Sequence, residues 1–191
     1  MLLTGQSVPS NTSLSPEQRT FLAAVAPPGV EPLAHGFPFH PIYASGRYRR
    51  PSLPAASLHN AHQFIAAAVS RDFRAIIALR LDELMQRTSD RLFLLTGSCG
   101  LQLLNAAWPA LTAARRARIE VVALGPASLD AIRVPRAQLT TVQGARDAWS
   151  RWLFRGPVDH RVPCGHLDYW TLRETIELVR GLLASRLGAT R

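Results

Sequence analysis

Apolar residues follow two kinds of spacing along the chain. From His59 to Arg87 they recur at helical spacing, which predicts one long helix or two helices that meet near Ser70. After position 90, short apolar runs alternate with helical segments. The predicted strands are 92–95, 119–124, 138–143 and 159–162, and the predicted helices are 101–118, bent at Pro109, then 148–154 and 169–187. Strands that alternate with helices are typical of an α/β fold, with a mostly parallel sheet covered on both faces.

The first 56 residues are harder to interpret because they are rich in Pro, Ser and Gly. One helix is predicted after Ser15, where Pro16 falls at the first helical position and apolar residues follow. The segment 36–43 is interrupted by prolines and is interpreted as a strand and a loop. The sequence thus predicts a single domain over residues 1–191, with an irregular segment 1–56, a core 57–191 and a sheet of five or six strands.

Length and composition agree with a globular domain. The chain has 191 residues, of which 47% are hydrophobic, and this is enough to bury one core. Its beginning lacks a basic stretch followed by a sustained apolar run, and no apolar run reaches the length of a membrane span. We therefore expect a soluble, cytoplasmic protein without a membrane span.

The formal net charge of +9 raises the question of an anionic partner. All 22 basic residues are arginine, which is typical of the coding bias of a GC-rich genome. Basic residues form no block longer than the pairs Arg49-Arg50 and Arg115-Arg116, and aromatic residues do not interleave with them in an RNA-binding pattern. We expect no nucleic-acid partner, whereas an acidic protein partner fits the charge.

Cysteine and histidine give no metal-site pattern. Cys99 and Cys164 are too few for a disulfide framework and are interpreted as free thiols. His59 and His62 share one face of a predicted helix, yet no carboxylate or third ligand stands beside them. We expect neither a metal ion nor an organic cofactor.

The segment 93–100 has the outline of a nucleophile elbow. A short apolar run delivers Ser98 between two small residues, Thr96 and Gly100, directly ahead of a predicted helix. A serine hydroxyl is a poor nucleophile unless it is exposed on a tight turn, within reach of a base and beside free backbone N–H groups. This makes Ser98 a candidate nucleophile.

Two further strand ends carry candidate partners for Ser98. The strand ending at Gln143 is followed by Asp147, and the strand ending at Val162 is followed by His166. Functional groups of parallel sheets gather at the carboxyl ends of strands. The serine, the acid and the histidine therefore occur in the order Ser, Asp, His, each just past a predicted strand.

In these three motifs, across residues 90–190, the chain resembles the α/β-hydrolases. The stretch 96–100 is similar to their small-x-Ser-x-Gly elbow, 142–147 to their acid turn and 164–166 to their Gly-His loop. The resemblance implies a triad in which His166 takes the Ser98 proton and Asp147 orients the imidazole. It also implies an oxyanion hole with the Cys99 N–H as one donor. Phe37, in a His-Gly-Phe-Pro stretch, would supply the second donor.

The chain departs from this family in ways that suggest its substrate. The interval between Ser98 and Asp147 leaves no room for a helical lid, and the N-terminal half lacks regular early strands. We therefore expect a reduced sheet with an open site. Phe37-Pro38-Phe39 resembles a stretch of stand-alone thioesterases from polyketide and peptide biosynthesis. The resemblance thus implies a serine hydrolase of acyl thioesters or esters that works through an acyl-enzyme, with an acidic acyl carrier protein as its partner.

Several alternatives stay open at this level. Ser98 can be a small residue in a tight turn, the turn can cradle a phosphate, or Cys99 can be the nucleophile. His166 can be a solvated loop residue. The remaining carboxylates weighed are Asp130 and Asp159, as competitors for the acid, and Asp168, as a helix cap. An acyltransferase uses the same triad, and a binding or scaffold protein on a degenerate hydrolase fold needs none.

Overall fold

A parallel five-stranded sheet forms the centre of the structure, a computed structural model that describes residues 1–8, 11–36 and 48–188. The strands are β1 (Leu2–Leu3), β2 (Leu92–Gly97), β3 (Ile119–Leu124), β4 (Leu139–Gly144) and β5 (His160–Val162). They lie in the order β1-β2-β3-β4-β5, and each neighbouring pair is parallel. The predicted α/β class with a parallel sheet is confirmed.

The strand register brings one end of every strand to the same side. Leu3 pairs with Thr96 and Gly97 pairs with Leu124, while Gly144 of β4 pairs with Val162 of β5. Since all strands are parallel, the chain leaves each of them at this side, which we call the carboxyl edge. In open parallel sheets the crevices used for chemistry lie at this edge.

Helices cover both faces of the sheet. They are α1 (Pro16–Val25), α2 (Leu53–Val69), α3 (Arg71–Gln86), α4 (Gly100–Ala107), α5 (Ala113–Arg116), α6 (Ala148–Leu153) and α7 (Arg173–Gly188). The core cluster on one face includes side chains of α2, α3 and α4, and the cluster on the other face includes side chains of α1 and α7.

The strands β2, β3 and β4 are buried on both sides apart from Glu120, so successive residues of β2 contribute to opposite clusters. Leu94 belongs to the cluster with α3 and α4, and its neighbour Leu95 belongs to the cluster with α1 and α7. Both are at most 1% exposed. Burying such a side chain contributes about 1.5–3 kcal/mol. A continuous apolar run, rather than an alternating one, is what a strand buried on both faces requires.

Most predicted elements match the structure within two or three residues, although α2 begins at Leu53 rather than at His59 and the final helix begins four residues later than expected. The region 53–86 forms two helices separated at Ser70, whose hydroxyl accepts a hydrogen bond from the Phe73 N–H. Ser15 begins α1 with a capping box to Gln18. The bend at Pro109 is a 3₁₀ turn that ends α4 and precedes α5.

The beginning of the chain differs from the sequence analysis. Residues 2 and 3 form β1, a strand that was not predicted, and both side chains are fully buried. The predicted strand and loop at 36–43 lie outside the described residues except for Gly36. Its N–H donates to the Thr12 carbonyl at 2.8 Å.

No helix within 1–8, 11–36 or 48–188 combines the length and the apolarity that crossing a membrane needs.

Candidate active site

Ser98 sits on a strained turn between β2 and α4. Its φ angle is 52°, and it is the only residue other than glycine with a positive φ in the described ranges. A left-handed conformation costs an L-residue about 1–2 kcal/mol. Two backbone hydrogen bonds hold the turn: the Ser98 N–H donates to the Leu124 carbonyl, and the Ala127 N–H donates to the Ser98 carbonyl at 3.0 Å.

Gly100, the first residue of α4, lies directly against β1. A Cβ atom at this position would be 1.8 Å from the Leu3 carbonyl oxygen and 3.3 Å from the Thr96 Cβ. Only glycine fits this approach. The small-x-Ser-x-Gly pattern therefore has a specific cause here, because the helix start must pass the backbone of a neighbouring strand.

The structure joins Ser98, His166 and Asp147 in one hydrogen-bonded chain, called here the Ser-His-Asp chain. The His166 Nε2 lies 3.1 Å from the Ser98 Oγ, and the Nδ1 lies 3.0 Å from each carboxylate oxygen of Asp147. An ionised carboxylate only accepts hydrogen bonds, so Nδ1 carries the imidazole proton. The Nε2 atom is then the acceptor that faces the Ser98 hydroxyl.

Asp147 is fully buried and is held from several sides. It is the N-cap of α6, where its Oδ1 accepts from the Ser150 N–H at 2.9 Å. Its Oδ2 accepts from the Tyr169 hydroxyl at 2.8 Å, and this hydroxyl in turn accepts from the Gly144 N–H. These contacts fix the carboxylate plane against His166.

The surroundings of Asp147 favour its ionised form. Burial by itself raises the pKa of the carboxyl group, but hydrogen bonds from His166 and from the Ser150 N–H more than compensate. The resulting pKa of Asp147 lies below its usual value of 3.8. Asp147 is therefore a carboxylate at neutral pH, suited to stabilise a protonated imidazole.

Tyr169 is a site residue that sequence reasoning missed. Its side chain is 2% exposed, and burial followed by contact with Asp147 raises the pKa of its phenol. The phenol therefore stays protonated and acts as a donor. The only sequence signal was a tyrosine three residues after His166, and a tyrosine there has no chemical meaning until the fold places Asp147 beside it.

The other carboxylates considered as the acid have different partners. Asp159 contacts Arg136 and accepts from the Thr141 N–H and hydroxyl. Asp130 accepts from the Gln102 amide at 2.8 Å. Asp168, considered as a cap of the last helix, accepts from the Gly165 N–H instead. Of the acids weighed from the sequence, Asp147 is the one that contacts His166.

The two cysteines are free, buried thiols. Burial raises the pKa of Cys99 to about 12 and that of Cys164 to about 11. A thiolate is the nucleophilic form of cysteine. Because burial keeps the Cys99 thiol protonated, Ser98 is favoured over Cys99 as the nucleophile of the turn.

Backbone groups near Ser98 define where a negative charge can be stabilised. Cys99 is the N-cap of α4, so its N–H lies at the positive end of that helix. Phe37, the expected second donor, lies outside the described residues. A different loop, which follows β1, approaches the turn: a Cβ on Gly5 would be 2.5 Å from the Cys99 sulfur.

Helix α2 fixes this loop after β1. The Gln6 N–H donates to the Gln63 side chain at 2.8 Å, and the Gln63 amide donates back to the Gln6 carbonyl at 3.1 Å. Asn60 adds a hydrogen bond to the Ser7 hydroxyl. The loop is therefore held rigidly beside the start of α4.

Comparison of the chain with protein-family models, with curated proteins and with solved structures finds no match. The geometry of the site is therefore the guide to its chemistry. That geometry contains a hydroxyl on a strained turn, an imidazole acceptor, a buried carboxylate and the N-terminus of a helix.

The positive φ of Ser98 predicts a difference in stability between two variants that lack its hydroxyl. We expect Ser98→Gly to be more stable than Ser98→Ala by about 0.5–1 kcal/mol, because glycine adopts a positive φ without steric cost. Both variants lack the hydroxyl, so the comparison isolates the backbone. Urea unfolding measures the difference, and an Ala variant as stable as the Gly variant would contradict the strain at this turn.

Proposed function

We propose that the protein is a serine hydrolase that cleaves acyl esters or thioesters through an acyl-enzyme. The observation that carries this proposal is the hydrogen-bonded Ser-His-Asp chain, which ends at a serine with a φ of 52°. Backbone strain of this kind persists only where the surrounding structure enforces it. Each of the three side chains follows a different strand, and they meet at the carboxyl edge.

Acylation follows from the hydrogen bonds. The Nε2 of His166 removes the Ser98 proton as the Oγ attacks the acyl carbon, and a tetrahedral oxyanion forms. The charge on the imidazolium is balanced by the buried carboxylate of Asp147. The oxyanion is stabilised by the Cys99 N–H at the start of α4. When the bond to the leaving group breaks, His166 returns the proton to the departing alcohol or thiol.

Deacylation repeats these steps with water as the nucleophile. His166 takes a proton from water as the water oxygen attacks the acyl carbon. The bond between that carbon and the Ser98 Oγ then breaks, and His166 returns the proton to Oγ as the carboxylic acid leaves. The reaction consumes water and transfers no electrons. Ser98 and His166 are both partly exposed, and this supports a substrate presented from outside rather than one fully enclosed.

The net charge of +9 supports an acidic acyl carrier protein as one source of the acyl group. That partner is part of the proposal. The chemistry at Ser98 is the same for a carrier-bound thioester and for a free ester.

A fluorophosphonate probe tests the proposed function. We expect the folded protein to be labelled, Ser98→Ala to lose the label, and hydrolysis of p-nitrophenyl acetate by that variant to fall to the uncatalysed rate. Ser128→Ala is the matched control, since Ser128 lies near the same edge but hydrogen-bonds to Gln102. Folded wild-type protein that takes no label would overturn the proposal and favour a binding protein.

A further inference from the structure

Four exposed large apolar side chains belong to segments that hold or adjoin the Ser-His-Asp chain. Trp149 and Trp152 in α6 are 59% and 65% exposed, and Leu129 and Leu167 are 66% and 64% exposed. We call these four residues the apolar rim. Large apolar residues are exposed singly on most soluble proteins, whereas several of them on segments that adjoin a site indicate an interaction surface.

Covalent neighbours and hydrogen bonds place the rim at the carboxyl edge. Leu167 follows His166, and α6 begins directly after Asp147. At the other end of α6, the Leu153 carbonyl accepts from the Ser128 N–H, which brings Leu129 to that end. All four rim residues therefore belong to segments that hold the Ser-His-Asp chain or adjoin it.

The two tryptophans form one surface on α6. They are three residues apart on a helix, and their ring centroids are 6.2 Å apart at an interplanar angle of 54°. Ser150, which lies between them in the sequence, is fully buried and hydrogen-bonds to Gln143 and to the Pro126 carbonyl. The buried side of α6 is thus anchored, and the tryptophans point away from the protein.

Arginine side chains lie in and beside α6. Four exposed arginines belong to α6, adjoin it or precede the His166 loop, and none of them forms an ion pair with a residue in the described part of the chain: Arg146, Arg151, Arg155 and Arg161. Arg146 donates to the Pro163 carbonyl. This edge therefore carries positive charge available to an external anion.

The carboxylates near this edge are mostly engaged. Asp147 is buried against His166, and Asp159 contacts Arg136. Asp130 accepts from Gln102, and the exposed Asp168 accepts from the Gly165 N–H. The charge of the edge is thus dominated by arginine.

We propose that the apolar rim docks on an anionic lipid surface and turns the Ser98 hydroxyl toward it. Indole rings favour the boundary between headgroups and acyl chains, and arginine pairs with lipid phosphates. The paired indoles project from a short surface helix. Such side chains insert into a lipid surface, which needs no preformed cavity to receive them. The delivery of an acyl substrate to Ser98 by this docking rests on the proposed function, whereas the docking itself does not.

Co-sedimentation with vesicles tests the docking. The full chain carrying Ser98→Ala is mixed with vesicles of phosphatidylcholine alone or of phosphatidylcholine and phosphatidylglycerol in equal parts. We expect binding to the mixed vesicles at least about tenfold tighter, weakened by salt and accompanied by a blue shift of tryptophan fluorescence. The double variant Trp149→Ala/Trp152→Ala should lose about tenfold or more of this binding.

Controls separate the rim from general charge. Leu79→Ser and Arg87→Gln change exposed residues of the α3 region, away from the rim, and should bind vesicles as the parent protein does. Unchanged binding by the double tryptophan variant would overturn the proposal. Binding to an acidic acyl carrier protein with none to anionic vesicles would also overturn it, in favour of a protein partner. Wild-type protein that binds vesicles but does not hydrolyse p-nitrophenyl acetate would contradict only the proposed function.

Discussion

Asp147→Asn is expected to lower kcat/KM for p-nitrophenyl acetate about 10⁴-fold while the protein remains folded. The asparagine amide presents a donor toward His166 Nδ1, so the imidazole proton moves to Nε2. That nitrogen then faces the Ser98 hydroxyl as a donor and no longer accepts its proton. The loss arises from the wrong tautomer and from the missing negative charge beside the imidazolium.

The hydrogen bond from Tyr169 bears on whether the Asp147→Asn variant stays folded. The phenol donates to Asp147 Oδ2 at 2.8 Å, and an asparagine side chain still offers one carbonyl oxygen to the groups around it. The folded structure should therefore persist, with a cost of about 1–3 kcal/mol in the free energy of unfolding for imperfectly satisfied partners. Steady-state kinetics and urea unfolding on the same sample separate the two effects.

Asp130→Asn is the matched control. It makes the same chemical change near the same edge of the sheet, and the carbonyl oxygen of the new amide can still accept from Gln102. The kcat/KM of this variant should stay within about twofold of wild type, since surface changes away from a site have small effects. A large loss in Asp130→Asn together with a small loss in Asp147→Asn would show that the acid has been assigned to the wrong carboxylate.

Gly100→Ala is expected to destabilise the fold by more than about 3 kcal/mol. A Cβ at this position would lie 1.8 Å from the Leu3 carbonyl oxygen, a distance that requires the backbone of β1 or of α4 to move. Such a movement separates the elbow from its neighbouring strand. We therefore expect thermal unfolding at a markedly lower temperature, and little fluorophosphonate labelling in the fraction that folds.

Gly181→Ala is expected to change the free energy of unfolding in the opposite direction. Gly181 lies inside α7, and nothing stands within 4 Å of a Cβ added there. Alanine in a helix interior is favoured over glycine, so this variant should gain about 0.5–1 kcal/mol. If the two Gly→Ala variants changed stability alike, the close contact between Gly100 and Leu3 would not exist.

The part of the fold that the sequence predicts is the part with long or repeated patterns. The continuous apolar run of β2 and the helical spacing on either side of Ser70 identify their elements because burial sets the pattern directly. The candidate residues Ser98, Asp147 and His166 lie together for a related reason: each follows a strand, and parallel strands bring their ends to the same side.

Two kinds of feature could not be predicted from the sequence: very short elements and contacts between residues far apart in the chain. β1 has two residues, too few for any periodicity, and becomes a strand only because β2 offers it a partner. The loop that approaches Cys99 is the one after this unpredicted strand, whereas the resemblance in the sequence implies a second oxyanion donor at Phe37. Tyr169 was missed because its role depends on the distance to Asp147, which no local pattern encodes.

The pairing of β1 with β2 also joins segments that are synthesised far apart in time. Leu2 and Leu3 leave the ribosome long before their partners, Leu95 and Thr96, and must wait until the segment between them has been made. The turn at Ser98 is completed later still, because its hydrogen-bond partners Leu124 and Ala127 follow it in the sequence, and His166 is synthesised after both. On the proposed function, the nascent chain therefore carries a serine without its base until the histidine loop has emerged.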